Sequence, residues 1–256
     1  MQKIELLAKK YFIILKHLNI PFKLNRSNIT LNHKKLYYHS PIYGLASIQS
    51  MYIYEQAHFT LCNLTGIKTI IDIGASVGNF TILSNELYPK AKIYSIEPIS
   101  ESFNCLSLNT KSNQNNMQFN TAISDKTGYS YMSENSEKSI IAPSGIQVDA
   151  ITLDQFIINQ SITQIDLLKI DAEKHEANIL LGAAKALEIT RYLYIEVTIF
   201  DNPNYTFTSL LKLLSTEEYN FQLLIHSDHY YKNKPEKITM MNILLKNIKY
   251  NETVYK

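Results

Sequence analysis

Five near-continuous apolar runs, at residues 69–73, 93–96, 117–123, 165–170 and 192–199, are separated by segments of helical spacing. This alternation constrains the fold more than any other feature of the chain. Runs that lack a polar face fit strands buried on both sides, as in a sheet with helices on each face. Helical patterns at 81–87, 102–109 and 176–187 fall between the runs, as the crossovers of a parallel, doubly wound α/β sheet require. Two later runs, at 221–225 and 240–245, are placed to close the sheet as an antiparallel pair. Residues 127–152 interrupt the alternation with short strand-like pieces and predict an insertion beside the sheet.

Ahead of the first strand, Ile4, Leu7, Ala8, Tyr11, Ile14, Leu15 and Leu18 recur at helical spacing among lysines, so an amphipathic helix is expected before Pro21. Its apolar face is expected to pack on the main domain or on a second copy, giving a homo-oligomer. Residues 22–50 show no clear period, and 48–64 suit a further amphipathic helix. The expected division is an N-terminal helical and irregular extension over 1–53 and an α/β domain over 54–256.

Composition removes several classes of function. Lys and Arg exceed Asp and Glu by only 25 to 23, too small a balance to hold a polyanion, so nucleic acid is not the expected partner. The apolar run 11–15 is too short for a signal segment or a membrane span, which makes a cytoplasmic location the default. Cys62 and Cys105 lack the paired spacing of a zinc site and read as reduced, buried thiols. The seven histidines form no H-x-x-x-H pair, so no preformed zinc site is expected.

The chemistry is concentrated in residues 70–80, a buried strand that runs through a glycine turn into a helix. An open α/β sheet binds its ligand at such a turn. Gly74 and Gly78 allow close approach of the backbone, and the helix that follows presents free N–H groups. Ser76 and Asn79 stand where a dinucleotide fingerprint would need its second and third glycines, which argues against a pyrophosphate and a nicotinamide oxidoreductase. About twenty residues on, Glu97 closes the next strand, where a carboxylate accepts hydrogen bonds from both ribose hydroxyls. Together these features suit an adenosine-type ligand without a diphosphate.

The segments Ile71-Asp72-Ile73-Gly74-Ala75-Ser76-Val77-Gly78 and Glu97-Pro98 resemble the FkbM family of methyltransferases. The likeness continues through Ala122-Ile123-Ser124-Asp125-Lys126-Thr127-Gly128, Ile151-Thr152-Leu153-Asp154 and Asp166-Leu167-Leu168-Lys169-Ile170-Asp171-Ala172-Glu173, and ends near Gly182-Ala183 and Ile195-Glu196. The resemblance implies a Rossmann-like class I methyltransferase fold with S-adenosylmethionine as cofactor. It also implies O-methylation of a sugar, glycan or natural-product hydroxyl. Asp72, Gly74, Ala75 and Gly78 would then line the methionine side, with Ser76 and Asn79 in the same turn. Glu97 would take the ribose, and Ala122 and Ile123 would flank the adenine. Asp171 would face the transferred methyl group. Lys174 stands where the family pattern has a glycine, so the loop path there is expected to differ and a catalytically silent binding module stays open as an alternative.

An alcohol acceptor must lose a proton. His175 has a suitable ordinary pKa for a general base, against the alternative of a solvated residue in the first turn of a helix. Asp171 and Glu173 are candidates to orient that base, to take the proton or to bind a divalent ion such as magnesium. Glu173 and Glu176 also suit a helix N-terminus. Glu196, inside an apolar run, needs a partner and is expected to complete a site or to pair with Lys169.

Overall fold

Side chains alternate across a strand, and in the central strands both alternating sets are apolar. Ile71, Ile73, Leu168, Ile170, Leu193 and Ile195 join one buried cluster, while Ile70, Leu167, Tyr192 and Tyr194 join another on the opposite face. A computed structural model describes residues 22–24, 28–31, 34–38, 59, 62–133, 144–198, 205–215, 220–231 and 234–250. The expected helix at 4–18 lies outside the described residues. Of the one expected at 48–64, only Phe59 and residues 62–64 fall within them; Phe59 and Cys62 are helical and Phe59 is in the core.

The main sheet is built from β4 (Thr69–Ile73), β5 (Lys92–Ile96), β6 (Asn116–Phe119), β10 (Ile165–Ile170), β11 (Thr190–Thr198), β12 (Phe221–Tyr231) and β13 (Lys234–Asn247). Its spatial order is β12-β13-β11-β10-β4-β5-β6. The five strands from β6 to β11 are parallel, and β13 enters antiparallel beside β11 with β12 antiparallel on its outer side. The chain therefore winds outward from β4 to β6, then crosses to β10 and winds the other way. This doubly wound α/β order puts the topological switch between β4 and β10, where a cleft opens at the carboxyl ends of the strands. Helix α1 (Asn79–Leu87) contributes Phe80 and Leu83 to one face. Helices α3 (Leu153–Asn159), α4 (Glu176–Leu181), α5 (Ala184–Glu188) and α6 (Phe207–Leu214) cover the other. Helix α2 (Ser100–Thr110) joins β5 to β6.

Three segments differ from their sequence reading. The described part of 22–50 consists of strands: β1 (Phe22–Leu24), β2 (Asn28–Leu31) and β3 (Lys34–Tyr37) form an antiparallel meander. Its last strand is tied to the domain by Asn109, which accepts from the Tyr37 N–H at 2.6 Å and donates to the Tyr37 carbonyl at 2.9 Å. The run 117–123 is two strands in different sheets. Asn120 donates to the carbonyls of Glu97 and Pro98, both at 2.9 Å, and at this bend the chain leaves β6 for β7 (Ala122–Ser124). There β7 pairs with β9 (Ile146–Thr152), which also pairs with β8 (Gly128–Met132), so the expected insertion is a small side sheet. The predicted helix 176–187 is broken into α4 and α5. Gly182 runs so close to β7 that a Cβ would lie 2.3 Å from the Ser124 carbonyl oxygen, and Asp154 accepts from the Ala186 N–H at 2.9 Å to start the second piece.

Candidate active site

The tips of the three central strands carry the site. After β4 the chain turns sharply, with Gly74 at φ +72° and both the Gly74 and Ala75 N–H groups donating to the Ile96 carbonyl at 3.0 Å. A Cβ on Gly74 would stand 1.8 Å from the Asp171 carbonyl oxygen, so only glycine lets the two strand ends lie this close. Gly78, at φ +94°, starts α1 against Leu106 of α2.

Glu97, after β5, is buried with each carboxylate oxygen engaged. Oε2 accepts from the Ser76 N–H and Oε1 from the Ile99 N–H, both at 2.9 Å. Burial outweighs those two bonds and pushes this carboxyl up to about 7. Each oxygen retains a further lone pair for a ligand.

Asp171, after β10, is partly exposed on the cleft. Below it is Lys169, a buried cation within an otherwise mainly apolar strand. Residues 167 and 169 share one face, as do 70 and 72, and Lys169 is in direct register with Asp72. Lys169 Nζ lies 3.2 Å from Asp72 and 3.7 Å from Asp171, and it donates to the Gly74 carbonyl at 2.9 Å. The ammonium thus ties the glycine turn to the strand that carries Asp171. Thr81 donates its hydroxyl hydrogen bond to the second oxygen of Asp72 at 2.8 Å. Lys169 therefore has carboxylate partners in Asp72 and Asp171, while Glu196 is half-buried along β11.

From 171 to 176 the chain makes a tight loop with Glu173 at φ 46° and Lys174 at φ 79°. Lys174 therefore adopts the left-handed backbone that favours a glycine. The buried Glu176 holds the loop: one oxygen accepts from the Ala172 N–H at 3.2 Å and the Lys174 N–H at 3.1 Å, and the other from the Tyr205 hydroxyl at 2.6 Å. Burial raises its pKa. His175 is not solvated as the first-turn alternative has it. It is 8% exposed, its Nε2 lies 3.0 Å from the Ser124 hydroxyl oxygen, and burial pushes its pKa below the usual 6.5.

These groups converge on one cleft of about 790 Å³, open mouth included. Gly74, Ser76, Glu97, Ala122, Ile123, Asp171, Glu173 and His175 all line it, while Asp72, Ala75, Gly78 and Asn79 do not. Asp72 is fully buried beneath the turn and acts on it through Lys169. Ala75 and Gly78 shape the turn, and Asn79 is the first residue of α1. Both cysteines are free and half-buried, less enclosed than their sequence suggests. Lys169, Glu176 and Ser124 were not singled out as site residues by sequence reasoning. The available signal was the charge of Asp72 and Lys169 inside apolar runs, a cost that must be met by a partner.

The FkbM methyltransferase domain pattern matches residues 72–223, more than half of the chain. The protein belongs to the FkbM methyltransferase domain family. A curated relative, the methyltransferase sdnD of Sordaria araneosa, is 31% identical over 71 residues, which cover 26% of this chain and 27% of that protein. The match thus spans about a quarter of the relative's length. Among solved structures, M. capricolum TrmK in complex with S-adenosyl-homocysteine superposes with a TM-score of 0.48 at 14% identity, covering 78% of this chain and 70% of that one. An rRNA methylase from Streptococcus thermophilus gives a TM-score of 0.47 at 12% identity, with 76% and 98% covered. Among the described residues, no helix is long and apolar enough to cross a membrane.

Proposed function

We propose that this chain is an S-adenosylmethionine-dependent methyltransferase that methylates a hydroxyl of a small molecule, sugar or glycan. The observation that carries the reading is the convergence of Gly74, Glu97 and Asp171, from three strand ends on both sides of the switch point, on a single cleft. The residues suit the cofactor. Glu97 is a buried carboxylate fixed by two backbone N–H groups, with lone pairs left for two ribose hydroxyls. Ala122 and Ile123 offer an apolar wall for adenine, and Gly74 leaves room beside the turn for the methionine portion.

Bound there, S-adenosylmethionine supplies a methyl group on a positively charged sulfonium. The chain's own task is to align an acceptor oxygen, exclude water and remove a proton. His175, kept neutral at neutral pH by burial, is in the state to take that proton. Asp171 and Glu173 on the same wall accept hydrogen bonds from the acceptor's hydroxyls. Lys169 holds Asp171 from beneath.

A divalent ion fits the site poorly. The Lys169 ammonium already stands 3.7 Å from the Asp171 carboxylate, and among the described residues no three His, Cys, Asp or Glu side chains are grouped to hold a metal. No step is assigned to one.

Calorimetric titration with S-adenosylmethionine and, separately, with NAD tests the cofactor. Binding of the first alone is expected, and binding of NAD alone would overturn the reading. Formation of S-adenosylhomocysteine across a panel of glycan and small-molecule alcohols then distinguishes an enzyme from a silent binding module.

A further inference from the structure

We infer that Ser124 and Asp125 are positioning residues which hold His175 in the Nε2–H form, leaving Nδ1 as the nitrogen that takes the acceptor's proton. This rests on the role of His175 as base proposed above. Ser124 closes β7, is buried, and lies where the side sheet meets α4. Its hydroxyl donates to Asp125 Oδ1 at 2.9 Å, and the same oxygen lies 3.0 Å from His175 Nε2.

A hydroxyl has one hydrogen, and a carboxylate can only accept. With its hydrogen committed to Asp125, the Ser124 oxygen has only lone pairs to offer the ring. Nε2 must then be the donor, which in a neutral imidazole leaves Nδ1 unprotonated. Among the described residues Nδ1 has no hydrogen-bond partner, and the ring forms part of the cleft wall with Asp171 and Glu173. The ring is also fixed from its backbone, because the His175 N–H donates to the Ala172 carbonyl at 3.1 Å and Glu176 holds the preceding loop.

The proton balance is complete. The acceptor's O–H bond breaks, its electron pair stays on oxygen, and an N–H bond forms at Nδ1. The resulting imidazolium faces the negative charge of Asp125 through Ser124. The imidazolium keeps its Nε2–H bond to the Ser124 oxygen, and once the methylated product has left, the Nδ1 proton passes to solvent through the open cleft, which restores the Nε2–H base. The charged groups around the ring are Asp125 across from β7, Asp171 and Glu173 in the cleft, and Lys174 and Glu176 beside it in the chain. Asp125 acts to raise the His175 pKa against the larger lowering by burial.

Nitrogen-15 spectra of the imidazole groups in the full chain, without acceptor, test this directly. The wild type is expected to show His175 as Nε2–H alone above its pKa. Ser124→Ala should produce a measurable Nδ1–H population, and Asp125→Ala should lower the His175 pKa and disturb the same ratio. A wild-type Nδ1–H ring, or identical tautomer ratios in wild type and Ser124→Ala, would overturn the inference. Titration of the same samples with S-adenosylmethionine keeps the two readings apart. A correct tautomer in a protein that fails to bind the cofactor would sink the proposed function and leave the positioning geometry standing.

Discussion

The pH dependence of cofactor binding follows from one buried carboxylate. In the proposed site ribose hydroxyls donate hydrogen bonds to Glu97, so its binding form is the ionised one, whereas burial pushes its pKa up to about 7 in the free protein. With that value, about one molecule in eleven carries ionised Glu97 at about pH 6 and about ten in eleven at about pH 8, so the apparent Kd should fall roughly tenfold, about 1.4 kcal/mol, between them. The sign is fixed by linkage: affinity rises as pH rises through the free-state pKa, and binding releases a proton near neutrality. In the free protein the same raised pKa means that Glu97's contribution to stability is complete below its unfolded value of 4.5 and lost as pH rises through about 7. The assay is calorimetric titration of S-adenosylmethionine across this range in buffers of different ionisation heat, which reads affinity and proton release together. The ligand's own amino group titrates at about 7.7–8.0, so the comparison must include Glu97→Gln, which keeps the ligand's contribution and removes that of the carboxyl. A wild-type affinity that does not change with pH, or a Glu97→Gln variant with the same slope as wild type, would refute the assignment of Glu97 to the ribose.

Gly74→Ala should abolish cofactor binding and destabilise the fold by more than about 2 kcal/mol, because the new Cβ meets the Asp171 carbonyl oxygen at 1.8 Å in a left-handed backbone. Titration and denaturant unfolding of the purified variant check both effects. Lys169→Met leaves the buried Asp72 carboxylate without its cation and should cost about 3–5 kcal/mol in urea unfolding. Adding Asp72→Asn should recover most of that loss, and a lone Lys169→Met variant as stable as wild type would remove the ion pair from the account. Lys174→Gly should raise stability by up to about 1 kcal/mol, since relief of about 1–2 kcal/mol of left-handed strain exceeds the entropy cost of a glycine, and Lys174→Ala should show no such gain in thermal melts.

The proposed site was legible where chemistry is local to a strand end. Gly74, Glu97 and Asp171 each follow directly on an apolar run, so strand periodicity alone places them at the sheet's carboxyl edge. Asp72 shows where local position stops short. It is two residues from Gly74, but its face of β4 points to α1 and it meets Lys169 instead of the cleft. The helix at 176–187 was over-extended because periodicity does not register a clash with another strand, and the close pass of Gly182 against Ser124 exists only in three dimensions.

The amino-acid sequence by itself determined the α/β alternation of a doubly wound sheet and the strand ends that face the cleft, because apolar periodicity and glycine turns act over a few residues. Tertiary structure decided how those ends work together. The approach of Gly74 to Asp171, the pairing of Lys169 with Asp72, and the contact of His175 with Ser124 join residues 97, 97 and 51 positions apart in the chain, respectively. Distances of that kind are set by sheet order and packing. A buried charge or hydroxyl takes whichever partner the fold brings within reach, and no local pattern in the chain records which one that is.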